Sequence, residues 1–412
     1  MPCLVCESEL TEFMNFGRMP ISNNFSRVPL GESQYTFDMR VAVCENCCTV
    51  QLVEQPEKEK MFHEEYAFFS STSTVMDAHF RTLSEYLISK FDIVGEIPRT
   101  LEIGCNDGIL LKYLDAKSIA EGVEPSSNVA EIAKSKGLNV INAFFDEECV
   151  KNFRALGKYF DIVVGSNVIC HIPSINVVFS NVERVLKNKG IFVHEDPYLL
   201  DILSKGTFDQ IYDEHVFFFS CLSQQKISAQ NGLVLYDVEL IPTHGGSARY
   251  FFCKPGAYQI SDRLKHQINL EYKFGLNRRD IFDTFAQEVR SKKEKFCKLI
   301  ENLKQSNKKV VGYGATSKSA TILNFFGLDN RSIDCIYDTT PTKIGTYTPG
   351  ADIPIKDYKT FREEDAEFVI LFAWNHRDEI FNKEAKFFKE TGKKWLTILP
   401  KIEVIDLSIE QI

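Results

Sequence analysis

The chain has 412 residues, 44% hydrophobic and 25% charged, a balance that fits an ordinary globular protein of about two or three domains and excludes a largely disordered one. Its net charge of -9 argues against a nucleic acid as the main partner, because that affinity rests on Lys and Arg neutralising phosphates. No run approaches the roughly 18 apolar residues of a membrane span, and no basic stretch leading into an apolar core opens the chain, so a cytoplasmic protein without membrane contact is expected.

Four of the 12 cysteines form two Cys-x-x-Cys pairs, Cys3-Leu4-Val5-Cys6 and Cys44-Glu45-Asn46-Cys47. Each pair presents two thiolates from a tight knuckle, and four thiolates close a tetrahedral zinc site that leaves no position for water. The pattern predicts a structural zinc module over 1–62, with four reduced cysteines and no metal as the alternative. Cys48 adjoins Cys47, but the two-residue spacing favours Cys47. The other eight cysteines are read as small core residues in a reducing compartment.

Past an aromatic stretch, Phe62 to Ser71, whose Tyr66 is expected to cover a cleft, a helix is read through Val75, His79, Leu83 and Leu87. Strands and helices then alternate: strands at Thr100–Ile103, Ala120–Val123, Val140–Ile141, Phe160–Val164 and Gly190–His194, with helices between. This predicts a mostly parallel sheet over 63–255 with its ligands at the carboxyl ends of the strands. The first strand runs into Gly104-Cys105-Asn106-Asp107-Gly108, and the second ends at Gly122-Val123-Glu124-Pro125. Glu124 is placed to accept hydrogen bonds from a ribose. Asn106 stands where a dinucleotide fingerprint has its second glycine, and Asp107 would repel a pyrophosphate. S-adenosylmethionine (SAM), with an amino group and a sulfonium, accepts such a setting, so Glu102, Gly104, Asn106, Gly108, Glu124 and Pro125 are read as its site. Asn167, after the neighbouring strand, is read as a contact for the methionine end of SAM and His171 as a group that binds or protonates a substrate oxygen.

The cluster Tyr212-Asp213-Glu214-His215 concentrates acid-base groups. Partial burial beside a carboxylate would hold the His215 imidazole near a neutral pKa, suiting a general base, with Glu214 fixing its tautomer. A continuous helical run is predicted from about Arg263 to Lys304, its apolar positions including Leu264, Ile268, Leu270 and Tyr272, as a connector over 256–304. The unit at 305–412 opens Val311-Gly312-Tyr313-Gly314-Ala315-Thr316-Ser317-Lys318 and reaches a strand ending at Asp338, a second Rossmann-like half. Its helix N-terminus, with Lys318 close by, offers a phosphate site.

Taken in order, these features resemble the SAM-dependent nucleotide-sugar C-methyltransferases of deoxysugar biosynthesis. The marks are His194-Glu195-Asp196-Pro197-Tyr198, Ile211-Tyr212-Asp213-Glu214-His215, His244-Gly245-Gly246-Ser247, Gly312-Tyr313-Gly314-Ala315 and Ala373-Trp374-Asn375. The resemblance implies an α/β chain with a small N-terminal zinc-binding module, a central Rossmann-like methyltransferase domain and a C-terminal Rossmann-like domain. That last domain would help hold a nucleotide-linked sugar, with Tyr313, Lys318, Asn324 and Asp338 as candidate contacts. It also implies C-methylation next to a ketone, with His215 as base, Glu214 its neighbour, and Tyr66, His171 and Tyr212 lining the sugar. One departure is Asp213, where the family usually has histidine, and another is Ser166 in place of asparagine. The state expected is a monomer or small homo-oligomer. The alternatives are SAM-dependent O- or N-methylation, an NAD-dependent oxidoreductase or binder using the Gly312 turn and Asp338, and a zinc-finger nucleic-acid methyltransferase, which the charge disfavours.

Overall fold

A computed structural model of the chain describes residues 1–61, 74–90 and 96–408 and builds them around three sheets. The aromatic stretch, Tyr66 included, lies outside the described residues.

The N-terminal sheet is antiparallel and joins Thr11–Pro20, Thr36–Val43 and Val50–Leu52 to a short strand from far along the chain, Phe217–Phe218. Along Thr36–Val43 the residues Phe37, Met39 and Val41 turn inward while Thr36, Asp38 and Arg40 stay partly exposed, the period-two pattern of a sheet with one buried face. That face does not close on itself. Phe13 packs on Phe282 and Phe16 on Phe325, each pair with ring centroids 5.0 Å apart. The N-terminal module, the segment around Phe208, the helix Arg279–Gln305 and the C-terminal sheet therefore share one core. A unit of about 60 residues buries little surface alone, and here the neighbouring domains supply the missing partners.

The central sheet has seven strands in the order Val234–Ile241, Ser247–Cys253, Leu186–Pro197, Phe160–Ser166, Arg99–Ile103, Ile119–Val123, Val140–Ile141. Only Ser247–Cys253 runs against the others. The connections leave Arg99–Ile103 in one direction and return to its other side at Phe160–Ser166, so the crevice between these two carboxyl ends is the switch point where such sheets bind ligands. Gly104 and Asn167 stand on its two sides.

The C-terminal sheet repeats the logic with Ile355–Asp357, Ile336–Asp338, Val310–Tyr313, Phe368–Leu371 and Lys394–Thr397 parallel and Glu403–Asp406 antiparallel. Its switch point lies between Val310–Tyr313 and Phe368–Leu371.

The predicted continuous helix is two helices, Asp262–Phe274 and Arg279–Gln305. Gly275, at φ +101°, ends the first in a left-handed cap that a residue with a Cβ adopts only at a cost. Leu270 and Tyr272, expected on the apolar face, are exposed, and Glu271 between them is fully buried. The reason is a cap: Glu271 accepts from the backbone N–H groups of Cys221 (2.7 Å) and Leu222 (2.9 Å), at the start of the helix Cys221–Gln230, and from the Tyr198 hydroxyl (2.6 Å).

Candidate active site and zinc centre

The two cysteine knuckles meet. One sulfur from each of Cys3, Cys6, Cys44 and Cys47 lies within 4.8 Å of the other three, with Cys3–Cys47 at 3.6 Å and Cys6–Cys44 at 3.4 Å. A tetrahedron with zinc–sulfur bonds of about 2.3 Å has edges of roughly 3.8 Å, so small side-chain adjustments suffice to hold zinc. The backbone N–H of Val5 and the side-chain amide of Asn46 already point at cysteine sulfurs, as outer partners of a thiolate centre do. Cys48 takes a left-handed backbone (φ +57°) and is not part of the cluster.

At the first switch point the turn after Arg99–Ile103 needs its glycine: Gly104 sits at φ +66°, and a Cβ there would come within 2.5 Å of a Val168 methyl carbon. Glu124 accepts from the backbone N–H groups of Asn106 (3.0 Å) and Ser126 (2.8 Å), tying the turn after Arg99–Ile103 to the one after Ile119–Val123. Burial, reinforced by the charges of Glu124 and Asp107, pushes the Glu102 carboxyl well up, and its Oε2 is buried with no hydrogen-bond partner among the described residues. An orphaned carboxyl oxygen in an acidic crevice fits a ligand that brings donors and positive charge, as SAM does. Pro125 is half-buried, and its carbonyl accepts from Asn142. Gly108 lies at φ +82° at the start of the following helix.

Asn167, at φ +53°, turns its side-chain amide to Nε2 of His244 at 3.3 Å. The His244 carbonyl accepts from the Gln210 side chain and from Nζ of Lys318 (3.2 Å). The Gln210 carbonyl in turn accepts from Nδ1 of His215 at 2.8 Å. A polar chain thus runs from Asn167 at the first switch point to His215. It corrects one expectation: the backbone of Gln210, not Glu214, fixes the His215 tautomer. Glu214 instead accepts from the Asn23 amide at 2.8 Å. His215 is also more buried than expected, and desolvation, with His171 adding to it, drives its pKa well below the ordinary histidine value rather than near neutrality. The ring is neutral, its proton is on Nδ1, and Nε2 is left to accept. Tyr212 lies 4.1 Å and His171 5.2 Å from it, centroid to centroid.

The C-terminal candidates have different surroundings. Lys318 joins this polar chain, its ammonium lies near the Trp374 ring, and burial lowers its pKa. The Tyr313 ring packs on Phe361 and Trp395, and its hydroxyl donates to Glu384 at 3.2 Å. Asn324 donates to the carbonyls of Ala320 and Pro349. Asp338 spends its two oxygens on the backbone N–H groups of Ala315 (2.7 Å) and Thr340 (2.7 Å), closing its own turn.

Several residues had no assigned role in the sequence. Asn23 lies in the zinc module, where no spacing marks it, and His244 stands only within the His244-Gly245-Gly246-Ser247 run. Lys343 carries a buried ammonium that donates to the Ala315 carbonyl at 2.8 Å. Trp374 donates through Nε1 to the buried Asp209 at 2.6 Å, across the second switch point.

Family comparisons match three successive segments: a zinc binding domain over residues 3–62, a methyltransferase domain over 68–238 and a C-methyltransferase C-terminal domain over 242–400. The C-methyltransferase NovU of Streptomyces niveus is 27% identical over 412 aligned residues, 98% of this chain and 96% of NovU. Among solved structures, magnesium protoporphyrin IX methyltransferase of Synechocystis PCC 6803 overlaps 43% of this chain and 79% of its own, at 12% identity and TM-score 0.33. A SAM-dependent methyltransferase of Clostridium acetobutylicum ATCC 824 overlaps 43% and 92%, at 13% identity and TM-score 0.34. With a methyltransferase domain set between a zinc binding domain and a C-methyltransferase C-terminal domain, the chain is a SAM-dependent methyltransferase, similar along its length to the C-methyltransferase NovU.

Proposed function

We propose that the protein methylates a ring carbon next to the ketone of a nucleotide-linked deoxysugar, with His215 as the base. The observation that carries this reading is the Nδ1–Gln210 hydrogen bond, which leaves Nε2 to accept on an imidazole whose ring lies beside those of Tyr212 and His171. Bound SAM supplies an electrophilic methyl group. His215 Nε2 takes the proton from the sugar carbon, and the electron pair of that C–H bond moves towards the ketone as an enediolate. Tyr212 and His171 donate to the oxygen that becomes negative. The same oxyanion favours the imidazolium, so the basicity of His215 rises as charge develops beside it. The new C–C bond forms as the methyl–sulfur bond breaks, the pair of electrons staying on sulfur.

For the far end of the substrate, the ammonium groups of Lys318 and Lys343 flank the Gly312–Ser317 turn and contact backbone carbonyls. Two cations beside a helix N-terminus support an anion such as the diphosphate of a nucleotide-sugar. The residues proposed at the site are Glu102, Gly104, Asn106, Gly108, Glu124, Pro125 and Asn167 for SAM, His215, Glu214, Tyr212, His171 and Tyr66 for chemistry, and Lys318 for the nucleotide.

The test is incubation with SAM and nucleotide-linked keto-sugars in deuterated water, read by mass spectrometry. Deuterium entering the sugar without SAM, methyl gain with it, and loss of both in His215→Ala are expected. Methyl transfer by a fully active His215→Ala, or transfer to oxygen or nitrogen with no carbon exchange, would overturn the reading.

A further inference from the structure

Cys170 and His171 are consecutive in the turn Ile169–His171, and His215 approaches from the loop after Gln210. One donor atom from each of the three lies within 4.8 Å of the other two, the spacing that also defines the four-cysteine centre. Two imidazoles and a thiol form a borderline-soft donor set suited to Zn2+ or Co2+, and three protein ligands leave a fourth position open. The arrangement is held in place. Asp196 accepts from the backbone N–H of Cys170 at 3.3 Å, and Gln210 keeps the His215 proton on Nδ1, so the Nε2 lone pair is the one available to a cation.

We propose that a thiophilic divalent cation binds across Cys170, His171 and His215 and inhibits the enzyme. The inhibition, though not the coordination, rests on His215 being the base. On binding, the Cys170 S–H bond breaks, its proton leaves to solvent and the sulfur lone pair enters the metal; nothing is oxidised or reduced. A His215 whose Nε2 is coordinated cannot take a proton from the sugar carbon. The block is therefore competitive towards the sugar and not towards SAM.

The experiment uses the full chain with its N-terminal zinc retained, titrated with Co2+ while absorption, metal content and turnover are followed. One added equivalent, a thiolate-to-cobalt band and loss of turnover are expected. Cys170→Ala, with Cys170→Ser as a volume-preserving second variant, should keep turnover without metal, abolish the band, and raise the cation concentration for half-inhibition by at least about tenfold, since even outer-shell losses weaken metal sites by that much. Absence of the band, its persistence in Cys170→Ala, or equal inhibition of both proteins overturns the site. A Cys170-dependent band with undiminished turnover overturns the inhibition, and places the fault in the base assignment rather than in the coordination.

Discussion

Asn23 joins three parts of the chain: its amide donates to Glu214 Oε1 at 2.8 Å, and its Oδ1 accepts from the Ser317 hydroxyl of the C-terminal domain at 2.7 Å. The backbone N–H of the adjacent Ser22 donates to Asp213 at 3.0 Å. Asp213, the departure from the family pattern, is thus spent on the N-terminal module. Asn23→Ala removes a hydrogen bond to a buried carboxylate, worth on the order of 1.5–3 kcal/mol. Turnover should fall about tenfold to a hundredfold while SAM affinity, measured calorimetrically, holds. An unchanged kcat would mean that the Glu214 orientation does not matter.

Zinc removal should reach further than the N-terminal module. The module shares its core with Phe208, Phe282 and Phe325, and its strand Val50–Leu52 pairs with Phe217–Phe218, which begins two residues after His215. Cys6→Ser, or a strong chelator, should lower the stability of the whole chain by at least about 3 kcal/mol and abolish turnover together with it. Two separate transitions in a denaturant titration, with the central domain unaffected, would contradict the shared core.

The features legible in the sequence were those written in neighbouring residues. Cys-x-x-Cys spacing gave the zinc centre, and strand–turn–helix alternation gave the central sheet and the turn at Gly104. The clamp by Asn23 and the Asp209–Trp374 hydrogen bond join residues 191 and 165 positions apart, and no local pattern marks such partners. Tyr313 and Asp338 likewise have partners that no local pattern marks, Glu384 for the Tyr313 hydroxyl and the Ala315 N–H for Asp338. Asp338 and Glu124 carry the same sequence signal, and each accepts from two backbone N–H groups, one of the glycine turn beside it and one two residues further on.

Gly104→Ala should disable SAM binding without a change in the catalytic loop. A Cβ at φ +66° is strained and meets Val168, whose neighbour Asn167 leads into the polar chain. A stability loss of about 1–3 kcal/mol and at least a tenfold weaker SAM affinity are expected. Isothermal titration with SAM checks this, and wild-type affinity would show that the turn does not hold the cofactor.

Stability should fall as the pH drops below about 6.5, the ordinary histidine value. Burial lowers His171 to about 4 and His244 to about 3, and holds His215 well down. Between those values and 6.5 the unfolded chain binds protons that the folded chain refuses, so this stability is present at neutral pH and lost on acidification. Asp209 and Asp213 act in the opposite sense, because burial raises both to about 6 and the folded state binds their protons first. Their contribution grows as the pH falls from about 6 towards 4, which partly offsets the histidines there. Because the two carboxyls take up protons over much of the same range, the net loss should be shallower than the histidines alone would give and spread over roughly pH 5 to 6.5. Urea melts of the wild type and His244→Asn across this window check the sign. The variant should lose less stability on acidification, by up to about 1.4 kcal/mol per pH unit, and parallel curves would mean that His244 is protonated in the folded enzyme.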